Sequence, residues 1–181
     1  MKSRNVSENG MIRLICALAM LAILSCCGAT AEAADWPQWR GPDREGTSAE
    51  KGLLKSWPEA GPKLICEIAG LGKGYSSVAI VDGKLYTMGD VVPEGGLEKT
   101  QCVLAYDLAT NKRLWTAAVG STHSDGPRCT PTVDDGAIYA IGTSGNIVCV
   151  NAASGKVLWK KSFQRDIGGG NNPGWRFSES P

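Results

Sequence analysis

One histidine in 181 residues, His123, and no C-x-x-C pair leave the chain without the ligand set of a zinc site. Charge of one sign is not in excess either. The formal net charge is +1, and acidic and basic residues are mixed along the chain with no acidic or basic tail. That balance removes the electrostatic basis for binding nucleic acid or an anionic membrane surface. The apolar stretch Leu14–Leu24 is too short for a stable transmembrane helix. Gly168, Gly169 and Gly170 do not make a phosphate loop, because the Lys-Ser/Thr ending and the following helix are missing.

What the first residues do contain is an export pattern. Lys2, Arg4 and Arg13 precede the apolar stretch, and small residues follow through Gly28, Ala29, Ala31 and Ala33. A basic start, a short apolar run and an Ala-x-Ala site describe a secretory signal peptide over residues 1–33, cleaved near Ala34 or Asp35. Met11 offers a second start with a more compact signal. The rival reading is a lipoprotein signal with a lipid anchor at Cys26 or Cys27, although a Cys stands before Cys27 where a small residue is usual. Either way the expected location is the periplasm or cell envelope, with no transmembrane span after cleavage.

Of 7 cysteines, Cys16, Cys26 and Cys27 belong to this segment, leaving Cys66, Cys102, Cys129 and Cys149. An exported chain can form disulfides. Cys102, Cys129 and Cys149 sit inside apolar strand patterns, where Cys behaves as a small hydrophobe. Buried thiols are the expectation, with one disulfide as the alternative.

The main signal is a repeat. Ser77–Gly89 and Thr130–Gly142 match position for position: an apolar strand, an Asp-Gly turn (Asp82-Gly83, Asp135-Gly136), an apolar–Tyr strand and a Gly. Each Asp-Gly reads as a hairpin turn, because Gly accepts positive φ without a Cβ clash. Val103–Trp115 and Ile147–Trp159 match in the same way: a third strand, a polar turn and a fourth strand ending in Trp. Asn111 and Gly155 fill the left-handed place of that turn. Asp135 stands 53 residues after Asp82, but Trp159 only 44 after Trp115. The difference is an elongated loop around Val91–Lys99 in the first copy, where Gly145-Asn146 makes the same connection tightly in the second. Phe177–Pro181 lines up with Pro127–Pro131 and starts a third copy.

Four antiparallel strands at this period predict an all-β fold of β-propeller blades. The expected division is a lead-in strap over residues 34–74, a first blade over 75–120, a second over 127–165 and the start of a third over 175–181. A closed propeller takes four or more blades. The sequence is therefore read as an N-terminal piece of a longer propeller, with assembly from several chains as the alternative.

The back halves resemble the PQQ-like, or quinoprotein-type, propeller repeat, whose mark is Ala-x-Asp-x-x-Thr-Gly-x-x-x-Trp. Ala105, Asp107, Thr110 and Trp115 match, with Asn111 in place of Gly; Ser154, Gly155 and Trp159 match in the second copy, where Cys149 and Asn151 replace Ala and Asp. The resemblance covers Tyr75–Pro181. Asp35–Pro42 and Leu54–Ser77 are similar to the opening of exported proteins of this class. It implies that Trp115 and Trp159 dock on the adjoining blade, that Asp107, Thr110 and Gly155 shape the turn, and that Leu64–Ile68 is a closing strand. Two Pro in Asp35–Gly46 suggest an extended strap with Trp36 and Trp39 packed onto the blades.

Function is implied less directly. The loops 120–128 and 168–176 lead into successive blades and should reach the axial funnel. There His123, Asp125, Arg128, Asn171, Asn172, Trp175 and Arg176 are candidates for a small polar ligand. The sharpest version is a His123–Asp125 acid/base pair; the plainer one is polar residues holding turns. No residue is assigned a catalytic role. By resemblance the expected role is a non-catalytic binding or scaffold propeller with protein partners, as in outer-membrane protein assembly. One alternative is part of a PQQ-dependent alcohol or sugar dehydrogenase, an oxidoreductase whose PQQ and calcium would be held by further blades. The other is a truncated product without independent function.

Overall fold

The computed structural model describes residues 34–169 and 171–181, so the export pattern over 1–33 lies outside the described residues. Two four-stranded antiparallel sheets follow one another. The first is β1 (Ala79–Val81), β2 (Lys84–Val91), β3 (Thr100–Asp107) and β4 (Lys112–Gly120), and the second is β5 (Thr132–Asp134), β6 (Ala137–Ile141), β7 (Asn146–Asn151) and β8 (Val157–Ser162). In each, the strands pair in sequence order, β1-β2-β3-β4 and β5-β6-β7-β8. This is the blade topology that the repeat predicts. The hairpins turn at Asp82-Gly83 and Asp135-Gly136, with positive φ at all four residues. A one-turn helix, α1 (Phe163–Asp166), closes the second sheet. Its N-cap Ser162 accepts from Arg165 N–H, and Asp166 Oδ2 accepts from Ser162 N–H at 2.7 Å.

Period-two alternation sets the faces. Tyr86, Met88, Val103, Ala105, Trp115, Ala117 and Val119 of the first sheet meet Ile138, Ala140, Val148 and Val150 of the second in one core. A smaller cluster on the other face of the first sheet joins Val91, Cys102, Leu104 and Tyr106 to Ile68 and Leu71 of the lead-in.

Trp115 anchors the contact between sheets. Its indole N–H donates to Ala152 O at 3.1 Å. Its ring lies over Gly155, where a Cβ would come within 2.6 Å of the indole. A β-bulge aims it: Ala105 pairs with Trp115 but Tyr106 with Arg113, so Leu114 is the extra residue. The second sheet repeats this, with Leu158 extra between Val157 and Trp159. A second link is polar. Buried Gln101 donates from Nε2 to Thr143 Oγ1 at 2.8 Å and accepts from Thr143 N–H at 2.9 Å.

The strap ties the inner strands. Trp36 exchanges backbone hydrogen bonds with Ile80, and Val133 N–H donates to Pro37 O at 2.8 Å. Only the first Trp of the strap packs closely: Trp36 is half-buried under Gly41, whereas Trp39 is about half exposed beside Arg40. The expected closing strand, Leu64–Ile68, pairs with no strand among the described residues, and Leu64 and Ile65 are 73% and 83% exposed. Two side chains of the lead-in, Ile68 and Leu71, instead cover the outer face of the first sheet.

Trp115 is 8% exposed and Trp159 is 41% exposed. Replacement of Trp115 by Ala should therefore cost about 3–5 kcal/mol in urea unfolding, and the same change at Trp159 less than about half of that. Equal losses would contradict the docking role of Trp115. The thiols give a second check. Cys66 is exposed, while Cys102, Cys129 and Cys149 are free and buried. Burial pushes the Cys102 thiol up to about 11 and the Cys129 thiol up to about 12. Of the four thiols in residues 34–181, only Cys66 should react quickly with a disulfide reagent in the native state.

Candidate functional site

The segments entering the repeats converge beside the strap. Ser77, Thr130 and Ser180 hold equivalent positions, and together with Trp39, Arg44, Tyr75, Arg128, Ser178 and Glu179 they line an open cleft of about 440 Å³. Its walls are joined by hydrogen bonds across the repeats. Thr130 N–H donates to Ser180 Oγ at 2.9 Å, Tyr75 N–H to Pro127 O at 2.8 Å, and Arg44 to the carbonyls of Ser180 and Pro181. Hydroxyls of the segments that enter the repeats, two guanidinium groups, one carboxylate and two aromatic rings thus face one space.

Of the seven loop residues expected to bind a ligand, only Arg128 lines this cleft. Arg128 is held from two sides: Nη2 meets Asp125 Oδ2 at 2.7 Å and Nη1 donates to Trp175 O at 2.8 Å. The Asp125 carboxylate is therefore turned to Arg128 rather than to His123. His123 Nδ1 accepts the backbone N–H of Asp125 at 3.4 Å. The two side chains do not form an acid/base pair. Asn172 and Arg176 make a separate group; with its amide oriented to suit its neighbours, Asn172 accepts from Arg176 Nη1 at 2.8 Å. Arg176 itself takes φ 66° in a turn closed by its N–H to Pro173 O. Asn171 is exposed, and the Trp175 ring is 89% exposed.

The polar turn of each blade is locked in the same way. Asp107 Oδ1 accepts from Thr110 N–H at 2.8 Å and Oγ1 at 2.7 Å, which holds its carboxyl below the usual carboxylate range. Asn151 Oδ1 does the same with Ser154 at 3.0 and 2.8 Å.

Calcium takes six to eight oxygen ligands. The cleft offers one carboxylate, Glu179, whose Oε2 accepts from Ser178 N–H. With Arg44 and Arg128 also lining it, this donor set does not fit a calcium–quinone pair.

A residue not singled out from the sequence is Asp90. It is 6% exposed, and its Oδ1 has no hydrogen-bond partner. Burial raises its carboxyl above the usual range; the His123 backbone N–H and the charges of His123, Lys73 and Lys99 offset part of this. Alternation gives the signal that could have found it: Tyr86 and Met88 face the core, and Asp90 continues that face. The lead-in covers it, with Asp90 N–H donating to Lys73 O at 2.9 Å.

Residues 99–170, under half of the chain, match a family model described as outer membrane protein assembly factor BamB. The protein of that name from Pseudomonas aeruginosa is 34% identical over 64 residues, which is 35% of this chain and 17% of that protein. The chain thus spans about a sixth of that curated relative's length in the match. Among solved structures, BamB from Moraxella catarrhalis aligns with a TM-score of 0.36 at 17% identity, over 48% of this chain and 22% of that one. The quinohemoprotein alcohol dehydrogenase of Comamonas testosteroni aligns with a TM-score of 0.50 at 19% identity, over 82% and 23%. This last likeness bears on the fold alone.

Asp90 supplies a pH test. Its folded-state pKa lies above the unfolded value of about 3.9, so the folded state binds the extra proton in that window. Its contribution to stability is complete below the unfolded pKa and is lost as pH rises through the folded one. Asp90→Asn should therefore gain stability relative to the parent between pH 4 and pH 7 in paired urea titrations. A difference that stays flat would mean the carboxyl is not shifted.

Proposed function

We propose that this PQQ-like β-propeller repeat protein works as a non-catalytic binding module of the cell envelope, presenting the cleft beside its strap and its inter-blade loops to protein partners. The observation that carries this reading is the composition of the cleft. Aromatic rings, hydroxyls and guanidinium groups with fixed hydrogen-bond partners make a surface that recognises shape and backbone polarity. The His123 and Asp125 side chains are not hydrogen-bonded to each other: Asp125 Oδ2 meets Arg128, and His123 Nδ1 accepts the Asp125 backbone N–H. The match of residues 99–170 to a family named for outer membrane protein assembly supports a partner among proteins of that process. The basic start, apolar stretch and Ala31-x-Ala33 site support export. Among the described residues no helix is long and apolar enough to cross a membrane.

The test is photo-crosslinking in cells from the exposed Trp175 position and from Tyr75 in the cleft, followed by fractionation. Adducts with outer-membrane assembly proteins in the envelope fraction are expected. PQQ- and calcium-dependent oxidation of an alcohol by the purified chain, with no such adducts, would overturn the reading in favour of a dehydrogenase.

A further inference from the structure

Three segments meet at the end of β2, and they meet on a carboxylate. Lys73 lies against Asp90 as an isolated antiparallel bridge, with Asp90 N–H donating to Lys73 O at 2.9 Å. On its other side the same segment touches the inter-blade loop, where Tyr75 N–H donates to Pro127 O at 2.8 Å. The layers are too close for side chains between them: a Cβ on Gly72, Gly89 or Gly126 would strike the backbone opposite. Asp90 is thereby 6% exposed, with its Oδ1 unpartnered. Its cross-strand neighbour on β3, Gln101, turns its amide to Thr143 with both the oxygen and the nitrogen.

Charged and titratable groups reach Asp90 from every covering element. They are Lys73 from the lead-in, His123 from the inter-blade loop, Lys99 from the β2–β3 connection and Cys102 on β3. Burial pushes the Cys102 thiol up to about 11, so it stays neutral in acid and at neutral pH. A neutral carboxyl tolerates this cover far better than a carboxylate does. Once ionised, Oδ1 gains from water, and water reaches it when a covering segment lifts. The two covers are unequally held. The loop carries the His123 backbone N–H, whose bond to the carboxyl strengthens with charge. Among the described residues, the segment 71–75 makes two backbone hydrogen bonds, the pair given above. Beyond it Ser76 anchors the chain again, its Oγ accepting from Met88 N–H at 3.1 Å. Residues 71–75 are therefore the part that yields. They carry Tyr75, which lines the same cleft as Arg128.

We propose that Asp90 is a proton-operated latch on the cleft: protonated, it keeps residues 71–75 closed between β2 and the inter-blade loop, and ionised, it loosens them and frees the Tyr75 wall. The use of the cleft rests on the binding reading above, whereas the latch is a property of the chain by itself. The sign follows from linkage. The closed-state carboxyl titrates above the open-state value of about 3.9. Opening therefore releases a proton, becomes more favourable as pH rises from that value to the closed-state one, and is constant above it.

Amide hydrogen exchange read by NMR on the purified chain tests this, with each rate divided by its intrinsic value at that pH. Protection of Asp90 N–H and Tyr75 N–H should fall by up to about tenfold per pH unit from about pH 4 and then level off. Leu108 N–H and Val133 N–H, bonded to Gly83 O and Pro37 O, should keep theirs. Asp90→Asn should abolish the fall and leave both amides protected throughout. His123→Gln should retain the fall and extend it to higher pH, because the ring's charge favours ionised Asp90. Flat protection in the parent would overturn the proposal. So would a fall shared by Leu108 and Val133, one that survives Asp90→Asn, or one lost in His123→Gln. None of these measurements needs a partner, so they decide the latch whatever crosslinking from Tyr75 finds.

Discussion

The seating of Trp115 on the neighbouring blade is the constraint from which the rest of the arrangement follows. A single four-stranded sheet has two faces and too little of its own to cover either. The indole solves this for one face by burying a large ring in a space defined by Gly155 and closed by the Ala152 carbonyl. The two contributions differ in kind. Burial of the ring is worth several kcal/mol, while the single hydrogen bond adds about 1. Area supplies the strength and the N–H supplies the register, because only one placement of the second turn satisfies both. The bulge at Leu114 then becomes necessary. In a regular ladder Leu114 would pair with Tyr106, and Arg113, two residues before Trp115, would share its face and point into the core.

Packing between sheets fixes a distance, but the strap fixes an angle. Trp36 is laddered to β1 and Pro37 accepts from Val133 of β5, so two consecutive residues span both blades. The lead-in acts at the other end of the first sheet. There Gly72 and Gly126 pass so close to Asp90 O and Lys73 O that a Cβ on either would come within 2.4 Å of them. This tight crossing buries Asp90 and leaves Oδ1 without a partner. The cost of that carboxylate is a consequence of threading the lead-in between β2 and the inter-blade loop.

The strands, their order and the two Asp-Gly hairpins were legible in the sequence, because period two and turn chemistry are local signals. The paired repeat added Trp115 and Trp159 as docking residues on resemblance. Other features were hidden for identifiable reasons. The bulges at Leu114 and Leu158 escape a repeat comparison because both copies carry them, so the match stays in register. The ladder between Trp36 and Ile80 escapes because it is purely tertiary. Leu64–Ile68 was expected as a closing strand on resemblance alone, and a resemblance cannot tell whether a partner strand is present among the residues described. In the candidate site, polarity pointed to the loops, but of those seven residues only Arg128 reaches the cleft. The other walls come from the strap and from the segments leading into the repeats, whose Ser and Thr look unremarkable in sequence.

What the cleft can bind follows from how its charges are already used. The Arg128–Asp125 contact is partly exposed and contributes at most about 1 kcal/mol to stability. Its larger effect is to neutralise and immobilise the guanidinium, with Trp175 O as a second anchor. Arg44 is occupied in the same manner by the carbonyls of Ser180 and Pro181. A guanidinium held this way attracts a free anion weakly, yet it loses little entropy when a surface of complementary shape is laid on it. Aromatic rings at Trp39 and Tyr75 add area to such a contact without needing charge. The cleft residues, tied to one another across the repeats, therefore form a nearly neutral surface with its guanidinium groups already held, and low free charge favours recognition of a protein backbone over capture of a small ion.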